Sequence, residues 1–479
     1  MFASRQPSYR FRLACIASGV LAAAIAAPAA AQDTRPPLDQ RTLADYAPEP
    51  YVTLKHAPWT EEAVLYQINT RQFTKEGTFR AAIKELPRLK KLGVDILWLM
   101  PIQPIGEKNR KGTLGSPYSV KDYTAVNPEF GTEADLKAFV DAAHAQGFHV
   151  ILDWVANHTA WDHPWVTQHP EWYERDWKGD FHPTPWWDWS DIIDLNYDQP
   201  GVRKAMTEAM AYWVREFDID GYRADVAGYV PIDYWEGVRA DLEAIRPVFM
   251  LAEWKSSELT RKAFDAVYAW EWHKTAKEVA QGKADATAFY GYYSENVSAW
   301  PDEAMRLVYI ANHDSNAWEG TQYENFGAAL PAMIALSFTG EGMPMIYNGQ
   351  EACNAKRLEF FEKDPIDWSQ AKDCDLGDLF TRLIAFRDAH KVLHNGQWGA
   401  RMIKVENTAP QQVLSWVRRN EDETVLGIFN LSEKPVEVDF PTELEHGRYR
   451  SFKTGKSVTF DAGTHMSLAP WEYQLFATP

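Results

Sequence analysis

The chain has 479 residues, 46% hydrophobic and 24% charged, enough apolar material for one large core and a smaller second domain, which excludes a disordered or fibrous chain. Acidic residues outnumber basic ones by 67 to 49, a formal charge of −18 that argues against nucleic acid or any other polyanion as partner. Aromatic residues are abundant (21 Trp, 21 Tyr, 23 Phe), and flat apolar rings beside carboxylates suit a neutral, hydroxyl-rich ligand.

Residues 1–31 read as an export signal: Arg5, Arg10 and Arg12 precede an apolar run over 13–27, and Pro28 and small residues follow before Gln32. The run is shorter than the roughly 20 residues a spanning helix needs, so no membrane span is expected after leader removal, and the protein is expected to be periplasmic or secreted. Losing the three leader arginines deepens the charge from −18 to −21. The mature chain keeps Cys353 and Cys374, which either pair across a short loop in an oxidising compartment or stay as two buried thiols. No Cys/His cluster points to zinc.

A polar, Pro-rich linker (32–50) leads into eight short apolar runs, at 64–68, 96–100, 149–155, 221–226, 248–252, 266–268, 307–311 and 345–348, separated by helix-like segments. Several runs end in polar or charged groups. A (β/α)₈ TIM barrel collects its chemistry at the carboxyl ends of its strands, so the expected fold class is α/β with the barrel spanning 51–158 and 198–393. The stretch 159–197 breaks the rhythm and holds seven Trp (Trp161, Trp165, Trp172, Trp177, Trp186, Trp187, Trp189), which predicts an insertion after the third strand that walls a cleft. After a last helix at 376–390, β-like runs at 413–417, 425–429, 436–440 and 473–476 predict a C-terminal antiparallel β-sandwich domain over 394–479.

Four segments carry candidate chemistry. On the fourth run Arg223 and Asp225 share one side of the strand, so the guanidinium is expected to keep Asp225 ionised and able to attack an anomeric carbon; an isolated pair of this kind would otherwise be a structural ion pair. Glu253 closes the apolar fifth run, where burial raises its pKa and fits it to protonate a glycosidic oxygen, although a lone Glu at a strand end also caps helices. His313 and Asp314 follow the seventh strand and offer a donor and an acceptor for vicinal sugar hydroxyls. The third run adds Asp153, Asn157 and His158, each of which alone would suit a turn.

Together, in this order, these segments resemble the α-amylase family, glycoside hydrolase family 13, over about residues 66–351. The resemblance implies Asp225 as nucleophile, Glu253 as general acid/base, and Asp314 as the holder of sugar hydroxyls, with Asp153, Arg223, His158 and His313 lining the same subsite. Tyr118, within 115–123, is similar to the family's aromatic platform, and 342–351 to its eighth-strand segment. The implied reaction is retaining cleavage of an α-glucosidic bond in α-glucans or malto-oligosaccharides, with no organic cofactor. By the same resemblance Asn157 and Asp194 occupy positions that ligate calcium in many amylases, though two hard oxygens do not make a site that takes six to eight.

Two departures bear on specificity. Val226-Ala227-Gly228-Tyr229 replaces the Lys-His pair of many starch-degrading endo-amylases, which argues against endo-action on long starch. The segment 69–77 lacks the acidic loop that binds a divalent ion in some relatives. A transglycosylase using the same glycosyl-enzyme is the alternative enzyme reading, and a non-catalytic sugar-binding barrel is the other class.

Overall fold

The computed structural model of the protein describes residues 37–479. The expected leader lies outside the described residues, as does the start of the linker. Residues 37–50 belong to a unit of their own, with 3₁₀ turns at Leu38–Gln40 and Leu43–Tyr46; Thr42 opens the second, its backbone N–H donating to Asp45.

From Tyr51 onward eight parallel strands close into a barrel. They are β1 (Leu65–Ile68), β2 (Ile96–Leu99), β3 (His149–Trp154), β4 (Gly221–Ala224), β5 (Phe249–Ala252), β6 (Ala266–Tyr268), β7 (Met305–Tyr309) and β8 (Met343–Tyr347). Each pairs with the next, and β8 pairs back onto β1 through Leu65 opposite Met345. Alternation decides the two faces. Leu65, Trp98, Ile151, Leu251 and Leu307 fill the barrel interior, while Tyr66, Leu97, Val150, Met250 and Val308 pack outward in the shell shared with the helices. Both faces are buried, which is why these strands read as continuous apolar runs rather than alternating ones.

The expected strands are the barrel strands, with shifted ends. β7 and β8 each begin two residues earlier, because Met305 pairs with Ala266 and Met343 with Leu307. Helices cross between most strands, among them Glu133–His144, Pro200–Phe217 and Ile232–Glu243. Thr132 caps the first of these, accepting from the Asp135 N–H while Asp135 accepts from its backbone. Between β5 and β6 the expected helix is replaced by a single 3₁₀ turn, Ser257–Thr260. Glycine is required at Gly221, which opens β4 with φ of 148°, because a Cβ there would lie 1.8 Å from the Phe249 carbonyl oxygen of β5.

The insertion after β3 folds around a short antiparallel hairpin of His158–Ala160 and Ile192–Asp194. Beyond β8, Cys353 and Cys374 form a disulfide, tying the post-strand loop to the start of the helix Leu376–Asp388. The C-terminal region is a six-stranded antiparallel sheet facing a two-stranded one, Val436–Asp439 with His465–Leu468. Val413, Val417, Leu426, Ile428, Val438 and Phe476 fill the space between them. Leu414, Trp416, Phe429 and Leu475 on the other face join the outer core of the barrel. No described helix is long and apolar enough to cross a membrane.

Candidate active site

β3, β4 and β5 are neighbours, so their carboxyl ends deliver Asp153, Arg223, Asp225 and Glu253 to one place. Arg223 is fully buried, its guanidinium carbon 5.1 Å from the Trp98 ring centroid and 5.7 Å from that of Tyr118. Its Nη1 donates to Asp153 Oδ1 at 2.7 Å and to Asp225 Oδ1 at 3.0 Å, and Nη2 lies 2.8 Å from Glu253 Oε1. One planar cation thus holds three acids from three strands. Because a single guanidinium reaches both Asp225 and Glu253, the two carboxyls are kept close, as retaining glycosidases require. Glu253 Oε2 also accepts the Val226 N–H at 2.8 Å. That bond needs Val226 in the left-handed region (φ 37°), an unfavourable conformation for a β-branched residue and a local cost borne at the site.

The opposite wall comes from β7. His313 is buried, and Asp314 keeps 41% of its side-chain surface exposed, with His313 Nε2 3.1 Å from Asp314 Oδ2. A hydrogen-bond chain fixes the imidazole. Gln67 Nε2 donates to His313 Nδ1 (2.7 Å), which leaves the His313 proton on Nε2 to donate to the Tyr118 hydroxyl (2.7 Å), and that hydroxyl donates to Asp153 Oδ2 (2.9 Å). Burial holds His313 neutral, its pKa pushed down to about 3. Tyr118 stacks on the His313 ring at 5.4 Å between centroids, and Phe360 packs 6.2 Å from each of them. His158 completes the rim, with Nε2 4.0 Å from Asp225 Oδ2 and its pKa lowered by burial to about 4.

Four carboxyls around one guanidinium cannot all ionise at ordinary cost. Burial and the charge of Glu253 push Asp225 well above the usual carboxylate range, against the pull of Arg223. Burial raises Glu253 as well, opposed by Arg223 and aided by Asp314. Asp153 and Asp314 are each raised to about 6, chiefly by burial. Arg223 favours the ionised form of Asp225, as expected, but the guanidinium is divided among three acids, and burial and the charge of Glu253 oppose it. Asp225 and Glu253 therefore titrate as a pair that retains a proton longer than either would alone.

Every residue expected at the catalytic centre lies in this cluster: Tyr118, Asp153, His158, Arg223, Asp225, Glu253, His313 and Asp314. Sequence reasoning missed Gln67 and Trp98, whose side chains orient His313 and Asp153, the latter through Trp98 Nε1–H donating to Asp153 Oδ2 at 3.1 Å. The available signal was a polar residue inside the apolar run Leu65–Ile68. Phe360 was missed because it reaches the site from a loop after β8 with no motif of its own.

Asn157 and Asp194, the expected calcium ligands, are in contact but turned on each other. The Asn157 amide nitrogen donates to Asp194 Oδ1 at 3.1 Å, and the Thr184 hydroxyl donates to the same oxygen at 2.5 Å. The two residues expected to ligate calcium are thus brought together, with Thr184 beside them. No set of three or more His, Cys, Asp or Glu side chains among the described residues is arranged to hold a metal.

Comparison with known proteins agrees with this geometry. The model of the alpha amylase catalytic domain matches residues 67–375. The chain belongs to the α-amylase family. The maltogenic amylase C-terminal domain model matches residues 402–475. An alpha-amylase of Haloarcula japonica is 28% identical over 82% of this chain and 59% of its own length, so the chain spans less than two thirds of that relative. A cyclomaltodextrinase of a Bacillus species is 26% identical over 83% of this chain and 78% of its own. The crystal structure of a noncanonic maltogenic alpha-amylase from Thermotoga neapolitana superposes with a TM-score of 0.79 at 28% identity, covering 87% of this chain and 98% of that one.

Proposed function

We propose that the protein is an exported retaining glycoside hydrolase that cleaves α-glucosidic bonds in malto-oligosaccharides or α-glucans. The observation that carries this reading is the convergence of Asp225 and Glu253 on one buried guanidinium, with His313 and Asp314 opposite. In the productive form Glu253 holds the shared proton and Asp225 is ionised. Asp225 attacks the anomeric carbon while Glu253 protonates the departing glycosidic oxygen, which gives a covalent β-glucosyl-enzyme. Glu253, now ionised, takes a proton from water as that water attacks the same carbon and releases Asp225 with net retention. Asp314 and His313 hold vicinal hydroxyls, contacts that strengthen as the ring flattens. Tyr118 lines the pocket and locks Asp153, so that Arg223 is positioned from below.

Export is supported by the basic-apolar-small pattern of residues 1–31 and by the Cys353–Cys374 disulfide, which an oxidising compartment maintains. Transfer of the glucosyl group to a sugar hydroxyl instead of water uses the same intermediate.

The test is product analysis by the mature protein on maltotriose, soluble starch, pullulan and cyclodextrin, with the anomer followed by NMR. Asp225→Asn and Glu253→Gln should each lower turnover by roughly a thousandfold or more. Substantial activity in either variant, or an inverted product, would overturn the roles; products longer than the substrate would mark a transglycosylase.

A further inference from the structure

The segment that follows β1 contributes no reacting group, yet it holds two walls of the site in place. Gln72, in the one-turn helix Thr70–Phe73, is fully buried. Its amide nitrogen donates to the carbonyls of Glu359 and Glu362, at 2.8 Å each, and its amide oxygen accepts the Asp364 N–H. The Gln72 carbonyl accepts the Ile366 N–H at 2.9 Å. One side chain thus serves three backbone groups of a loop that has no strand to pair with. Arg71, beside it, is fixed by two bonds to Glu129, and its Nη1 donates to the Gly115 carbonyl at 3.0 Å, where the segment that carries Tyr118 begins.

The loop held by Gln72 is closed at its base by Cys353–Cys374, and it carries Phe360. The Phe360 ring lies within 20° of parallel to Tyr118 and within 29° of His313, so it backs both rings at once. Phenylalanine has no polar group to fix it, and its place is set by the backbone on either side, which is the backbone that Gln72 binds. Tyr118 and His313 are in turn the pair whose hydroxyl and imidazole lead to Asp153. Only an amide of this reach serves the loop: a carboxylate of the same length would set an acceptor against two carbonyls, and an apolar side chain would leave all three groups unpaired. Resting on the hydrolase reading above, we propose that Gln72 is a positioning residue, which through the loop 359–364 fixes Phe360 against Tyr118 and His313 and so governs turnover more than substrate affinity. The contacts that His313 makes to sugar hydroxyls strengthen as the ring flattens, so a displaced wall is felt in the transition state.

The test uses the mature full-length protein and measures kcat and KM on maltotriose, well below Tm, for Gln72→Met, Gln72→Glu, Phe360→Leu and the double variant Gln72→Met with Phe360→Leu. Each Gln72 variant should lower kcat about tenfold or more, as a small misplacement of reacting groups does, with KM changed less than about threefold. Phe360→Leu should show the same split between kcat and KM. In the Phe360→Leu background, Gln72→Met should cost less than about a further twofold, because the ring through which it acts is gone. A rise in KM at unchanged kcat, full turnover in Phe360→Leu or in Gln72→Glu, or losses that multiply in the double variant would each overturn the proposal and leave the hydrolase reading intact. Should the Gln72 variants fail to fold, Phe360→Leu decides: a loss of kcat at constant KM supports the proposal, and full turnover overturns it. A wild type inactive on every α-glucan would instead remove the reading on which it rests.

Discussion

Asp314→Asn separates function from stability in one residue. Burial raises the Asp314 carboxyl from its ordinary value near 3.8 to about 6, so holding it ionised in the fold at neutral pH costs ~3 kcal/mol if no water screens it. With 41% of the side chain exposed, water does screen it, and ~1 kcal/mol is the figure to carry forward. The asparagine carries no charge and should be more stable by that amount, raising Tm by ~1–2 °C at pH 7. The pH dependence has a definite sign. Below the unfolded-chain value both folded and unfolded states bind the proton, and the wild type is not penalised. As pH rises from about 4 to about 6, the unfolded chain has released a proton that the folded protein still holds, so the wild type loses stability relative to the variant. The gap in Tm should therefore be absent at pH 4, grow to pH 6 and stay level above it, as followed by scanning fluorimetry. Over the same range the variant should lose about a hundredfold in kcat/KM, the loss of a charge-assisted contact to a sugar hydroxyl. A variant less stable than the wild type at pH 7, or one fully active, would refute the reasoning.

Arg223→Gln should destabilise the fold by about 3 kcal/mol, because it strands three buried acids without their cation, and should shift the acid limb of any residual activity to higher pH; unchanged urea unfolding would count against it. Gly221→Ala should prevent soluble expression or cost more than ~3 kcal/mol, since its Cβ would meet the Phe249 carbonyl at 1.8 Å; a normally stable variant would contradict that register. Replacing both Cys353 and Cys374 by Ala should lower stability by up to about 3 kcal/mol, as removal of a loop closure of 21 residues implies, with no change in Tm as the contrary result. Treatment with a calcium chelator should leave both Tm and turnover unchanged if Asp194 is satisfied by Asn157 and Thr184 as seen here; a drop reversed by added calcium would show that these residues bind it instead.

The amino-acid sequence by itself determined the barrel and the acids gathered at the ends of its strands, and for a physical reason. Strands buried on both faces must be apolar throughout, so Asp153, Arg223, Asp225 and Glu253 at the ends of such runs stand out against their neighbours. Tertiary structure alone decided how those acids share charge. Nothing near Asp225 in the chain shows that Arg223 also serves Asp153 and Glu253, because that division depends on β3, β4 and β5 lying side by side. The same holds for Gln67 and Phe360, which reach His313 and Tyr118 from the first strand and from a loop after the last. A linear pattern records which face of an element is buried; which elements meet, and therefore how strongly each carboxyl holds its proton, is set only when the barrel closes.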